Sequence, residues 1–495
     1  MAALISGNLF SGTAKDRPDA KNRIIGSQMA TVDFTQGNLM RHVTVMSFTS
    51  SIGIMAIYLV DLMDIFFVSL LGHQEIAAAA GFASTIMFFV SAVSIGLSVA
   101  SGSLTAQHLG QGDQTGARSV ATSATLAACL VGLAVPAAMW PFLGALVGIL
   151  GATGEVAELA VMYLRIVLPA SALSGMSMAI VASMRAHGDA KWAMYPSLIG
   201  AGVNLVFDPL LIFGLNMELA GAATATVLAR LATFGLALYA ALRVFDLLAR
   251  PSWGGFRRDL GQIVFYAMPA VLTSVAAPIG LAIVTRLITK YGTEAVAGLA
   301  IIGRLAPVIF AVVNALSSAL GPIIGQNFGA GRHDRVRQAY FDGIKFLAVY
   351  TVVAILFLLL FRNQIADIFS VEGKTRDLLL FYCGPYALIN FANGMMIVTS
   401  AAFINTGHPA WSTKLNWARN TLGMIFFGVS GSWLFGFYGL AAGILLNSAL
   451  FAWLSHLLAV RFITDPQATS PAKDALDFAH DEEHVTMEMR APIHT

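Results

Sequence analysis

"AQHLGQGDQTGAR", residues 106–118, aligns without a gap on "GQNFGAGRHDRVR", residues 325–337, at an offset of 219. The same offset pairs Glu75 with Glu294, Gly188 with Gly407 and Trp192 with Trp411. A repeat of that period changes the reading of everything else, because each half must then be a structural unit of its own.

Composition says what kind of unit. The chain has 495 residues, 57% of them hydrophobic and 11% charged, where an ordinary soluble domain carries about 25% charge. Apolar runs long enough to cross roughly 30 Å of hydrocarbon as a helix recur throughout. They lie near 41–71, 76–105, 119–150, 156–185, 191–215, 219–247, 260–290, 295–324, 340–369, 377–405, 411–435 and 438–463. The expected fold is an all-α polytopic membrane protein of twelve transmembrane helices in two six-helix lobes. Six spans is an even number, so the lobes run parallel and their pseudo-two-fold axis lies along the membrane normal, with a substrate site between them. Expected boundaries are an N-terminal segment 1–38, an N-lobe 39–247, a basic linker 248–259, a C-lobe 260–463 and a tail 464–495. Both terminal segments are expected to be mobile.

Basic residues set the orientation, since they favour the cytoplasmic side of short loops. With the N-terminus inside, 21 of the 29 Lys and Arg fall on the cytoplasmic side and only Lys290, Arg362, Lys374 and Arg376 on the other. Both termini are therefore expected in the cytoplasm, and the first 38 residues lack the apolar core of a signal peptide.

Several functions are disfavoured. A net charge of +2 gives no reason to expect nucleic acid. Cys129 and Cys383 lie within spans and suit neither a disulfide framework nor a CxxC metal site. The Gly110/Gly112 and Gly329/Gly331 pairs follow no strand, and "EGKT" at 372–375 lacks the upstream glycine of a phosphate loop. "HDEEH" at 480–484 reads as a solvated polar tail rather than a metal site. No enzymatic activity, cofactor, resident metal or obligate protein partner is expected, and the chain is expected to be a monomer in contact with lipid and a small organic substrate.

The polar residues inside the spans carry the function. A carboxylate at mid-membrane costs about 2.5–3.5 kcal/mol on insertion scales and is a functional candidate by default. Asp64 lies eight residues, about 12 Å, below the outer end of span 1. Asp208 lies at a similar depth in span 5, and Thr226 in span 6. Asn204 precedes Asp208 by four residues and shares its helix face. Removal from water makes a carboxyl hold its proton more tightly, and a second carboxyl nearby strengthens the effect, so the pair suits a proton. The same oxygens also suit sodium.

"LMDIFFVSLLG", "AQHLGQGDQTGAR", "MRAHGDAKWAMYPSLIGAGVNLVFDPLLIFGL" and "PIIGQNFGAGRHDRVR" together resemble the multidrug and toxic compound extrusion (MATE) family, nearest its DinF-type branch, over about residues 39–463. The resemblance implies a two-lobed, cation-coupled exporter of organic, often cationic, compounds in the inner membrane. It also implies that Asp64, Asn204, Asp208 and Thr226 form the coupling-ion site. Spans 7 and 10 lack the acids of the sodium-coupled NorM-type branch, which favours the proton.

The chain departs from the family at Val60, where relatives carry Tyr; Tyr58 is the nearby alternative. Asp61 stands where Asn is common. It either joins the proton network or pairs with an intramembrane arginine. Arg230, four residues after Thr226, is the candidate partner for Asp61 or Asp208, and Arg165, Arg286 and Arg304 are expected to snorkel or line a cavity. Two other readings remain open: a lipid-linked saccharide flippase of similar architecture, favoured by those arginines, and an intramembrane aspartyl hydrolase, disfavoured by the absence of a GxGD-type signature.

Overall fold

The computed structural model describes residues 33–464 apart from Gly72 and Ser370. The "HDEEH" segment and residues 1–32 lie outside the described residues. The helices that follow are α1 Leu39–Leu70, α2 Gln74–Gly110, α3 Gln114–Ile149, α4 Gly154–Ala186, α5 Ala190–Gly214, α6 Glu218–Val244 and α7 Trp253–Tyr291. Then come α8, Thr293–Ile309 and Ala311–Gly329 bent by 48° at Phe310, α9 His333–Ile368, and α10 Pro385–Asn405, which follows a short helix Gly373–Tyr382. The last helical stretch, Pro409–Thr464, has 56 residues, about 84 Å if straight and so far longer than one bilayer. It breaks at Phe435 and Gly436, whose φ is 61°, giving α11 over 409–434 and α12 over 437–464. Taking the bent pair as one span and the broken last stretch as two, the described residues hold twelve membrane-length helices, as the hydropathy pattern predicts.

Glycine explains why the repeated motif is where it is. Gly112 and Gly331, paired by the offset, have φ of 77° and 68°, and Gly188 and Gly407 have φ of 86° and 84°. A left-handed residue ends each preceding helix and turns the chain back. In the first turn Asp113 caps α3, its carboxylate accepting from Gly116 N at 2.8 Å and Thr115 Oγ1 at 2.8 Å. The Gly116 amide holds that carboxyl below the usual range.

The lobes join through matching helices. α2 packs on α7, and α8 packs on α1 and α2, with α3 also against α7 and α9 against α1, so the boundary is built from the first three helices of each half. At the end of the bundle where the described residues begin and end the repeats interlock. A Cβ on Gly110 would overlap the Gln326 carbonyl oxygen, and one on Gly329 would overlap the Gln107 carbonyl oxygen. Gln107 Nε2 donates to Asn405 O at 3.4 Å and Tyr266 Oη at 3.1 Å, while Gln326 Nε2 donates to Ala186 O at 2.7 Å. Ala186 and Asn405 are themselves 219 residues apart, so the clasp obeys the two-fold axis.

Two expected boundaries move. Residues 33–38 do not behave as a mobile segment: Phe34 is 1% exposed and its amide donates to Gln326 Oε1 at 2.9 Å. Arg335 Nη2 donates to the carbonyls of Phe34, Gln36 and Gly37 at 3.1–3.2 Å, and Asn327 Nδ2 to that of Phe34 at 3.0 Å. The turn-built strap thus docks on the C-lobe because buried carbonyls need donors. The linker is half helix, since α7 starts at Trp253. Its Asp259 is buried and accepts from Ser119 Oγ at 2.8 Å and Ser123 Oγ at 2.7 Å, tying linker to N-lobe.

Candidate functional site

Four helices of the N-lobe bring the predicted oxygens together. α5 packs against α1 and α6, and α4 packs against α6. Asp64 of α1 and Asp208 of α5 have their carboxyl groups within hydrogen-bonding reach of each other. Asp208 is 1% exposed and Asn204, one turn earlier, 7%. Asp64 Oδ1, Asp208 Oδ2 and Asn204 Oδ1 are all buried without a hydrogen-bond partner. Two carboxylates are acceptors only, so a contact between them needs a proton or another cation to bind it.

No arginine or lysine supplies that charge among the described residues, since none of the ion pairs includes Asp64 or Asp208. The expected pairing of Arg230 with Asp208 is not formed. Arg230 Nη1 instead donates to Val167 O at 3.1 Å, a carbonyl of α4 next to the 3₁₀ turn Leu168–Ala170 that contains Pro169. An available carbonyl on an adjacent helix satisfies the guanidinium without a second desolvated charge.

Thr226 joins less directly. Its hydroxyl donates to Ala222 O at 3.0 Å, and it lies within hydrogen-bonding reach of the Tyr163 hydroxyl, which stands in electrostatic range of Asp64, Asp208 and Arg230. Tyr163 of α4 is a site residue the sequence reading missed. An aromatic in an apolar span reads as packing, and only its offset partner, Tyr382, marks it as a repeated position. Tyr58 lies elsewhere: its hydroxyl accepts from Asn314 Nδ2 of α8 at 3.4 Å, a contact across the lobe boundary. Asp61 lies in α1, but its side chain is outside the described ones. Arg165, Arg286 and Arg304 are exposed.

Local sequence explains the placement of Asp208. Pro209 follows it, and the next turn, Leu210–Gly214, is π-helical. Single π turns are rare and cluster at functional sites.

The backbone after Asp208 is also held close to α6, where a Cβ on Gly221 would lie 2.8–2.9 Å from atoms of Leu211 and Ile212. Among the described residues no group of three His, Cys, Asp or Glu is arranged to hold a metal ion.

A helical bundle that spans the membrane in two pseudo-symmetric lobes, with a buried carboxyl pair in one of them, defines the class as a polytopic membrane transporter. The MatE family model matches residues 49–210 and 269–428, one block in each lobe, and the chain belongs to that family.

Among relatives, the FAD transporter of Shewanella oneidensis is 28% identical over 86% of this chain and 95% of its own length. The multidrug export protein MepA of Staphylococcus haemolyticus is 23% identical over 86% of this chain and 94% of its own. The solved structure of a multidrug resistance MATE family transporter in an outward-facing conformation superposes with a TM-score of 0.82 at 24% identity, covering 88% of this chain and 99% of that one. A MOP superfamily transporter from Pyrococcus furiosus gives the same TM-score at 23% identity and the same coverage.

Proposed function

We propose that the chain is a DinF-type, proton-coupled antiporter that exports organic compounds across the inner membrane by alternating access, with both termini in the cytoplasm. One observation carries the reading. Asp64 and Asp208 face each other with no cationic side chain between them, so occupancy of the site by a proton changes its charge and its internal hydrogen bonding at once. Coupling follows when ion and cargo favour different states of the lobes or compete for one site. In this cycle the proton enters Asp64 and Asp208 in the outward-facing state, cargo leaves, and the lobes rock until the clasp at Gly110 and Gly329 opens. The carboxyl pair, Asn204 and Tyr163 make up the proton path, and no enzymatic step or cofactor is involved.

Export into inverted vesicles under separately imposed proton and sodium gradients tests this. The parent is expected to respond to the proton gradient, and Asp64→Asn and Asp208→Asn to be folded but uncoupled. Normal proton-driven export by Asp64→Asn would sink the proposal, and a response to sodium alone would transfer the site to that ion.

The relatives favour two readings of the cargo, since one is described as a multidrug exporter and another, at higher identity, as a transporter of FAD. Cationic drugs and a flavin nucleotide differ in charge, so residues of this chain outside the carboxyl site bear on the choice.

A further inference from the structure

The C-lobe contains a polar cluster that the coupling chemistry does not use. Arg419 stands ten residues beyond Pro409 on α11, about 15 Å along the helix, and opens a π-helical turn, Arg419–Gly423. The count of loop charges includes it on the cytoplasmic side; the structure places it inside a span. Its Nη1 donates to Asn393 Oδ1 of α10 at 2.8 Å, and its carbonyl accepts from Asn447 Nδ2 of α12 at 3.1 Å. Asn447 is 0% exposed. Arg419 Nε and Asn447 Oδ1 are buried with no hydrogen-bond partner.

Two glycines let the asparagines pack close to the helix backbones. A Cβ on Gly423 would overlap Asn447 Oδ1, and one on Gly280 would lie 2.6 Å from Asn420 Oδ1. Among the described residues no ion pair includes Arg419.

A guanidinium in a membrane span is costly and normally paired. Its five donors form a rigid fork. Here the nitrogen that is engaged is Nη1, so the edge formed by Nε and Nη2 donates to no described residue. That edge is the one that grips a carboxylate or phosphate side-on with two parallel hydrogen bonds.

The two lobes differ in sign at matched places. By the offset, Asn204 and Asp208 fall on Gly423 and Phe427, so the C-lobe lacks the acids and holds a cation one turn away. Helices 4, 5 and 6 of the N-lobe surround the carboxyl pair with α1; helices 10, 11 and 12 supply Asn393, Arg419 and Asn447.

We propose that Arg419, oriented by Asn393 and flanked by Asn447, is a C-lobe subsite for the oxyanion, phosphate or carboxylate, of the transported organic molecule. Asn447 Oδ1 accepts from a hydroxyl or N–H of the same molecule. This deepens the exporter reading and rests on it, and it makes the cargo an organic anion.

The test is equilibrium binding to the full-length protein in phosphatidylcholine nanodiscs, read by flavin fluorescence with riboflavin and FMN. The two share a ring system and differ by one phosphate ester. FMN is expected to bind about tenfold tighter than riboflavin. Arg419→Gln is expected to bring FMN down to the level of riboflavin while riboflavin shifts by less than about twofold, which also reports that the variant is folded. Arg419→Lys, which keeps the charge without the fork, is expected to lose most of the preference, and decides the matter if Arg419→Gln does not fold.

Equal binding of the two flavins by the parent, or an undiminished preference in Arg419→Gln, would overturn the proposal. Loss of the preference in discs containing phosphatidylglycerol would overturn it too, by assigning the site to a lipid headgroup. No ion gradient is present in this assay, so its failure leaves proton coupling standing, and failure of proton-driven export leaves this binding result standing.

Discussion

Gly110 meets the main-chain carbonyl of Gln326 across the lobe boundary so closely that no Cβ fits between them. Any side chain there must push the lobes apart at the end where the strap docks. Gly110→Val is expected to bias the molecule against the clasped state by about 1–3 kcal/mol, the usual cost of overpacking. In a background without Cys129 and Cys383, a cysteine replacing Thr105, which is fully buried, is expected to react with an impermeant maleimide faster in the Gly110→Val variant. Unchanged labelling would show that the contact does not govern closure.

The glutamines of the repeat predict a matched pair of losses. Gln107→Leu removes bonds to Asn405 and Tyr266, and Gln326→Leu removes bonds to Ala186 and Phe34. Each buried hydrogen bond contributes about 1 kcal/mol net, with more lost where a partner is left unsatisfied. Thermal denaturation of the purified variants is expected to show both less stable than the parent, with Gln326→Leu lower because the Phe34 amide is stranded in a buried place.

Phe34 itself should behave as a core residue despite its position ahead of the first span. Phe34→Ala is expected to cost about 3–5 kcal/mol where the cavity does not collapse. Arg335→Ala, which frees three carbonyls of the same strap, is expected to expose residues 33–37 to protease. Parent-like melting and proteolysis in both variants would contradict the docked strap.

Tyr163→Phe removes only a hydroxyl. It is expected to leave folding intact and to slow proton-driven export several-fold, in line with one hydrogen bond of about 1 kcal/mol, with a smaller effect when Thr226→Val is already present. Equal effects in both backgrounds would mean that the two groups act independently.

Asp64→Asn and Asp208→Asn should fail the additivity rule in the same way. Once either carboxyl is an amide, the pair no longer needs a proton to stay together, so the double variant is expected to be no more impaired in export than either single one. Additive losses would separate the two residues.

The parts of this structure that sequence reveals are those that depend on neighbours along the chain. The twelve spans follow from apolar runs, and the turns at Gly112, Gly188, Gly331 and Gly407 follow from repeated glycine. The shared depth of Asp64 and Asp208 follows from counting along each span, because helices of one length fix height even when their order around the bundle is unknown; the packing of α1 on α5 then pairs them. What escapes is decided by lateral contacts. Arg230 could have faced an acid, and takes the Val167 carbonyl of α4 instead. Arg419 reads as loop charge beside Lys414, and its partners Asn393 and Asn447 stand 26 and 28 residues away on other helices. Phe34 looks like part of a polar leader, since the carbonyls and amides that capture it lie nearly 300 residues on.

The clasp has a consequence for ancestry. Gly110 touches Gln326 as Gly329 touches Gln107, and each glutamine reaches the helix end that corresponds to the other's. Such an interface is isologous: one surface patch complements itself under a two-fold rotation. Two separate copies of a single six-helix chain bearing that motif would close on each other by these contacts, so the geometry of a homodimer persists inside a fused chain. The two halves are not copies in their buried charges, for one holds paired carboxyls and the other an arginine.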